Sequence, residues 1–309
     1  MSLVRHVGSL LVTIACVKLL LIVLGVQVAL GLTLVALVAT DNLPFVGDDD
    51  AGGAPPPRAM VDRFDGPAAF ALLREQVEMG PRPAGSATSR QLALRLRDLL
   101  PRGRFERVPG GLRNVVGTVR GREPGYIVVG AHYDTKEIDG FVGANDGAAG
   151  TAVVTELART VKRPRHTIQF ILFDGEEAPG RGSEDFFERG LRGSRVAARR
   201  YRDARAMVLL DFVGDKHLSI PREGYSRRGL WRRLREAAAR VGVRRLFPPE
   251  TAGYILDDHV PFIQQGVPSI DLIDFEFDCW HRTCDDLSAV SEESVDAVGE
   301  AVLELVQGL

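Results

Sequence analysis

Between residues 67 and 306 the chain repeats one alternation: short apolar, β-branched runs give way to longer stretches in which apolar residues return every three or four positions. The short runs predict strands over 114–119, 126–131, 167–173, 207–212 and 269–273, and the longer ones predict helices over 67–79, 86–100, 147–161, 227–241 and 292–306. That order dictates a mostly parallel sheet with helices on both faces, an α/β architecture. Polar residues follow directly on several runs: His132 and Asp134, then Asp174, Glu176 and Glu177, with Asp211 inside a later one. In an open α/β sheet the ligand crevice lies beyond the carboxyl ends of the strands, so one site can collect all of them.

Composition narrows the chemistry. A chain of 309 residues that is 45% hydrophobic and 26% charged is globular, which excludes disordered and collagen-like classes. With 39 Lys+Arg against 41 Asp+Glu the net charge is -2, leaving no electrostatic footprint for nucleic acid. Cysteine occurs only at 16, 279 and 284, too rarely for a disulfide miniprotein or a Cys-based zinc finger. A metal here must be held by His, Asp and Glu.

The N-terminus is different. Residues 7–39 are largely apolar, and 19–39 carry no charge and one amide, Gln27, enough for one bilayer crossing as a helix. A secretory signal peptide has an apolar stretch of only about 7–15 residues, so residues 1–40 are expected to form an uncleaved transmembrane signal anchor. Arg5 and Lys18 precede the span, which predicts a single-pass membrane protein with a cytoplasmic N-terminus and its bulk extracytoplasmic. Residues 41–59 are rich in Gly, Pro and Asp and read as a linker, leaving 60–309 for one extracytoplasmic domain.

Four segments carry chemistry. In Gly130-Ala131-His132-Tyr133-Asp134 a His leaves a strand with a carboxylate two residues on, either a surface turn or a metal-binding imidazole that the Asp orients. In 142–150, VGANDGAAG, Asp146 opens a helix as a cap, a ligand or both. Phe173-Asp174-Gly175-Glu176-Glu177 sets two acids side by side; they repel unless solvated, or unless a cation or proton offsets them, which would divide metal binding from proton handling. The last segment runs from Asp257-Asp258-His259 to Trp280-His281; His259 reads as a packing or hydrogen-bonding residue and His281 as a ligand.

GPRPAGS at 80–86, AHYDTK, FVGANDGAAG, FDGEEA, LLDFVGD, DDHVPF and WHRTCDD occur in this order. The series resembles the M28-type zinc peptidases and their glutaminyl cyclase relatives over about residues 65–306. The resemblance implies a three-layer α/β/α sandwich around a mixed sheet, of the zinc-exopeptidase type. It implies that Asp146, Glu177 and His281 hold a catalytic zinc and that Glu176 is the general acid/base. It further implies that His132 and Asp211, with Asp146 bridging, hold a second zinc in the aminopeptidase branch, whereas the cyclases use one. Peptide or protein N-termini are the implied substrates in both branches.

Three features favour the cyclase branch. Trp280 precedes the implied zinc ligand, where an indole can wall a pocket around one glutaminyl side chain. Asp257 stands where peptidases commonly carry Ser, and is expected to hydrogen-bond with Asp211 and Glu176. The run 257–273 is also closer to cyclases. Against them, the segment after the Glu pair, Ala178-Pro179-Gly180-Arg181-Gly182-Ser183, lacks the second Trp of animal cyclases, and Ala131 replaces a Cys. The alternatives are a two-zinc aminopeptidase and a catalytically dead peptide-binding domain. Cys279 and Cys284 bracket Trp280 and His281, and are open to a bridge or to two free thiols.

Overall fold

The computed structural model describes residues 55–182 and 184–309. The expected anchor over 1–40 and most of the linker over 41–59 lie outside the described residues. Among the described residues no helix is long and apolar enough to cross a membrane.

Six strands form one sheet in the order β1-β2-β4-β3-β5-β6: β1 Arg104–Val108, β2 Leu112–Val119, β3 Glu123–His132, β4 His166–Phe173, β5 Met207–Asp211 and β6 Ser269–Ile273. β3, β4, β5 and β6 run parallel, while β1 and β2 pair antiparallel at one edge, so the sheet is mixed. The register sets His132 beside Phe173 and Asp211 beside Ile273, which brings the carboxyl ends of the parallel strands to one edge.

Alternate residues of β2, β3, β4 and β5 enter separate apolar clusters. Ile127, Val129, Ile168, Phe170 and Leu172 pack in the larger one with helices α1 Gly66–Glu78, α2 Ala87–Leu99, α3 Gly150–Thr160, α6 Arg228–Arg240 and α8 Glu292–Gly308. Val128, Ile171 and Phe173 pack in the smaller one with α5 Arg192–Arg200 and α7 His259–Gln264. A short α4, Phe186–Arg189, precedes α5. The period-two burial of strands and the apolar stripe of each helix account for both layers. After β3 the chain crosses to β4 on one side, then returns past β3 to β5 on the other. Crevices form at such a reversal.

Candidate active site

The reversal places His132 at the end of β3, Glu176 and Glu177 just after β4, and Asp211 at the end of β5. Asp146 reaches the same point from the irregular turn Ala144–Ala149. This turn differs from the expected helix start: Asp146 has φ -82° and ψ 93°, Gly147 has φ 96°, and α3 begins only at Gly150. Asp146 is therefore no cap for that helix, and its carboxylate is free to face His132. Gly147 is required twice over, by its positive φ and because a Cβ would meet the Asp134 carbonyl oxygen at 2.8 Å.

Two donor groups share Asp146. His281 Nε2 lies 3.1 Å from Glu177 Oε1 and 3.6 Å from Asp146 Oδ2. On the other side, His132 Nε2 lies 3.2 Å from Asp146 Oδ1 and 3.3 Å from Asp211 Oδ1. In each group of three, the ligand atoms lie within 4.8 Å of one another. Ligands at about 2.0–2.1 Å from a tetrahedral zinc stand roughly 3.3 Å apart, which these spacings match. Asp146 Oδ2 is buried without a hydrogen-bond partner, an orphan acceptor that a cation satisfies.

The supporting contacts were only partly expected. Asp134 does not orient His132, since its Oδ1 is 3.9 Å from Nδ1, too long for a hydrogen bond. Its carboxylate instead accepts the backbone N–H groups of Gly175, Glu176 and Glu177 at 2.9, 3.1 and 3.3 Å, fixing the turn that carries both glutamates. Asp285 accepts from the N–H groups of Asn145 and Asp146 at 2.7 and 3.0 Å and does the same for the opposite turn. Buried Arg82, within the GPRPAGS motif, donates to the carbonyls of Gln76, Gly80 and Gly143. Lys136 is buried with Nζ 3.2 Å from Glu177 Oε2. None of these roles is visible in residue type, because each acts through backbone or from a burial that a sequence does not display.

The paired glutamates differ electrostatically. Burial raises the Glu176 carboxyl well above its usual range, and the negative Glu177 and Asp257 push the same way against the counter-effect of His132. Burial acts on Glu177 too, but the His281 hydrogen bond and the Lys136 charge outweigh it and hold Glu177 below the usual range. Asp257 is also raised, by burial and then by Asp211 and Asp258. Asp257 lies against His259 and Asp271, with ligand atoms of the three within 4.8 Å, and both Asp211 and Glu176 are near enough to share its electrostatic field, while Asp211 Oδ1 meets His132 and the N–H of Phe212. His259 is fully buried and hydrogen-bonds Glu223 at 3.1 Å.

A cavity of about 340 Å³ opens over the acids, lined by Asp146, Glu176, Glu177, Asp211, Asp257 and His281 at its base. Phe212, Tyr254, Leu256, Phe275 and Trp280 form its apolar walls. Trp280 stacks on His281 with centroids 4.7 Å apart. The structure joins Cys279 to Cys284 in a disulfide, which closes the loop holding both rings. Within this loop His281 has φ 53°, a left-handed conformation that costs a non-glycine residue about 1–3 kcal/mol.

Comparison with known proteins places this arrangement. The profile of peptidase family M28 matches residues 114–306. The glutaminyl-peptide cyclotransferase of Bos taurus is 29% identical over 240 residues, 62% of this chain and 64% of the relative. The chain thus spans about three fifths of the length of the curated relatives it matches. Among solved structures, the glutaminyl cyclase of Porphyromonas gingivalis superposes with TM-score 0.70 at 29% identity, covering 80% of this chain and 99% of its own. A Zn-dependent exopeptidase from Parabacteroides distasonis superposes with TM-score 0.72 at 25% identity, covering 81% and 100%.

Proposed function

We propose, since the chain belongs to peptidase family M28, that it is a zinc-dependent glutaminyl-peptide cyclotransferase, converting an N-terminal Gln to pyroglutamate with release of ammonia. The observation that carries this reading is Trp280, stacked on His281 and lining a cavity of about 340 Å³ above the acids. Asp146, Glu177 and His281 are the proposed ligands of one zinc, two carboxylates and an imidazole with an open fourth position. The ion supplies a Lewis acid for the side-chain carboxamide carbonyl.

The remaining work falls to the chain. Trp280 and the apolar walls hold the glutaminyl side chain so that its carboxamide carbon meets the substrate's own α-amine. A new C–N bond forms there, and the bond to the departing amide nitrogen breaks. Glu176 takes the proton from the α-amine and delivers it to that nitrogen, which leaves as ammonia. Asp257, at the base of the cavity, pushes the Glu176 carboxyl in the same direction as its burial and favours its proton-carrying form, while Asp211 acts in the same way on Asp257.

A second reading rests on the His132–Asp146–Asp211 group, whose spacing suits another cation. With two zincs the site would hydrolyse N-terminal residues as an aminopeptidase, Glu176 then taking a proton from water. One experiment separates the two. Zinc is counted per purified full-length chain, and ammonia and pyroglutamyl product are measured on Gln-peptides beside release of N-terminal amino acids. Pyroglutamate with about one zinc supports the cyclase; free amino acids with about two overturn it.

Residues 19–39 are proposed to hold the enzyme on a membrane with residues 60–309 extracytoplasmic. Resistance of the full chain to alkaline extraction, together with protease access to the catalytic part from outside intact cells, tests this.

A further inference from the structure

The outer wall of the cavity is shared with a second one. Tyr254, 73% exposed, lines both the active-site cavity and a neighbouring space of about 630 Å³. It packs against Tyr225 with ring centroids 4.8 Å apart, so an aromatic pair forms the partition. The second cavity is lined by Arg222, Arg227 and Arg228, with no acidic residue among its walls. Arg222 is engaged, its guanidinium donating to three backbone carbonyls and to Thr251. Arg227 and Arg228 are exposed, and among the described residues neither forms an ion pair.

The partition is a built element. Glu223, fully buried, accepts the backbone N–H groups of Tyr225 and Ser226 at 2.8 and 2.9 Å and that of Ile255 at 3.2 Å, and it pairs with His259. A single carboxylate therefore ties together the two loops that carry the tyrosines. Gly224 lets Tyr254 lie directly on the backbone, since a Cβ there would meet its ring at 2.7 Å.

We propose that this second cavity binds a carboxylate of the peptide substrate, downstream of the residue held at the metal site. The proposal rests on the reading that the site takes peptide N-termini. A chain whose first residue occupies the inner cavity leaves past the apolar rim of Tyr254, Leu256, Phe275 and Trp280, all at least 40% exposed. Beyond Tyr254 it meets two unpaired guanidinium groups, whose planar donors match a carboxylate. The carboxylate belongs to an acidic side chain or to the C-terminus of a short peptide.

The test uses full-length protein in detergent and tetrapeptides based on Gln-Phe-Ala-Ala, in which Glu or Gln replaces the second, third or fourth residue in turn, each as the free acid and the C-terminal amide. Amidated peptides carrying Glu are expected to show kcat/KM about 3- to 10-fold above their Gln counterparts at one position, the scale of two partly exposed Arg–carboxylate pairs. The advantage should shrink in 0.5 M NaCl and vanish in R227Q/R228Q, with turnover of neutral amidated peptides unchanged. A preference for the free acid alone assigns the cavity to the peptide C-terminus. Equal rates for all peptides, or a preference that survives R227Q/R228Q, overturns the proposal while pyroglutamate formation leaves the cyclase reading intact. Calorimetric binding to the Glu176→Gln protein supplies the converse: a carboxylate preference without pyroglutamate from wild type removes the cyclase reading and keeps the subsite, and equal affinities remove the subsite.

Discussion

Trp280 lies nearly flat on the imidazole of His281, with ring centroids 4.7 Å apart and planes 29° from parallel. The indole thus does two things at once: it fixes the plane of a proposed zinc ligand and forms part of the wall against which a glutaminyl side chain packs. Trp280→Ala is expected to lower kcat/KM on Gln-peptides by roughly 10- to 100-fold, mostly through KM, with zinc content retained. Trp280→Phe should recover part of it. Steady-state kinetics with metal analysis check both.

The two glutamates should fail differently. Glu176→Gln removes the proton carrier and no ligand, so zinc stays and turnover drops by about 10²- to 10⁴-fold. Glu177→Gln removes a ligand, so zinc is lost on dialysis. Identical metal content in the two variants would contradict the division of labour.

His132 decides the metal count. Its Nε2 lies within reach of both Asp146 and Asp211, so in the one-zinc reading it joins two carboxylates without holding an ion. His132→Ala should then keep about one zinc per chain and lose activity only in part. A wild type with two tightly held zincs that falls to one in the variant would turn the assignment to the aminopeptidase.

Away from the site, Asp296 gives a stability prediction with a definite sign. Burial, then Glu300, Asp62, Glu292 and Glu293, raise its pKa from 3.8 to about 6. A folded-state pKa above the unfolded one means that ionisation disfavours the fold: the cost is absent below pH 3.8 and complete above about pH 6. The shift corresponds to about 3 kcal/mol, which half-exposure of the group screens to about 1 kcal/mol. Asp296→Asn should therefore stabilise the protein by about 1 kcal/mol at neutral pH and by almost nothing near pH 4. Denaturant melts at the two pH values measure it.

The parts of the fold with strong periodicity were legible in the sequence. The strands of the parallel core and the five long helices follow apolar patterns that survive burial on one or both faces. β1 was missed because Arg104, Glu106 and Arg107 fill a five-residue strand; Glu106 is buried there against Asn114 and Arg200, which no pattern announces. α5 was missed because its buried face is made of Gly193, Ser194, Ala197 and Ala198, too small to stand out among four arginines. α7 has six residues, less than two turns. The acids and histidines of the site could be named because their residue types are costly to gather without a purpose. The parts played by Asp134, Asp285 and Glu223 could not, since each acts by receiving backbone N–H groups from segments remote in sequence.

The disulfide between Cys279 and Cys284 spans five positions. So small a ring removes only roughly 2 kcal/mol of unfolded-chain freedom, little beside the hydrophobic layers. Its influence is concentrated on His281, held in a left-handed conformation between the two sulfurs. Opening the ring, by reductant or by Cys279→Ser with Cys284→Ser, should leave the melting transition nearly in place while zinc affinity falls by about tenfold or more. The redox state of this one pair would therefore be read out at the metal site and hardly at all in the fold: the reduced chain is expected to stay folded and to need more zinc to reach the same occupancy.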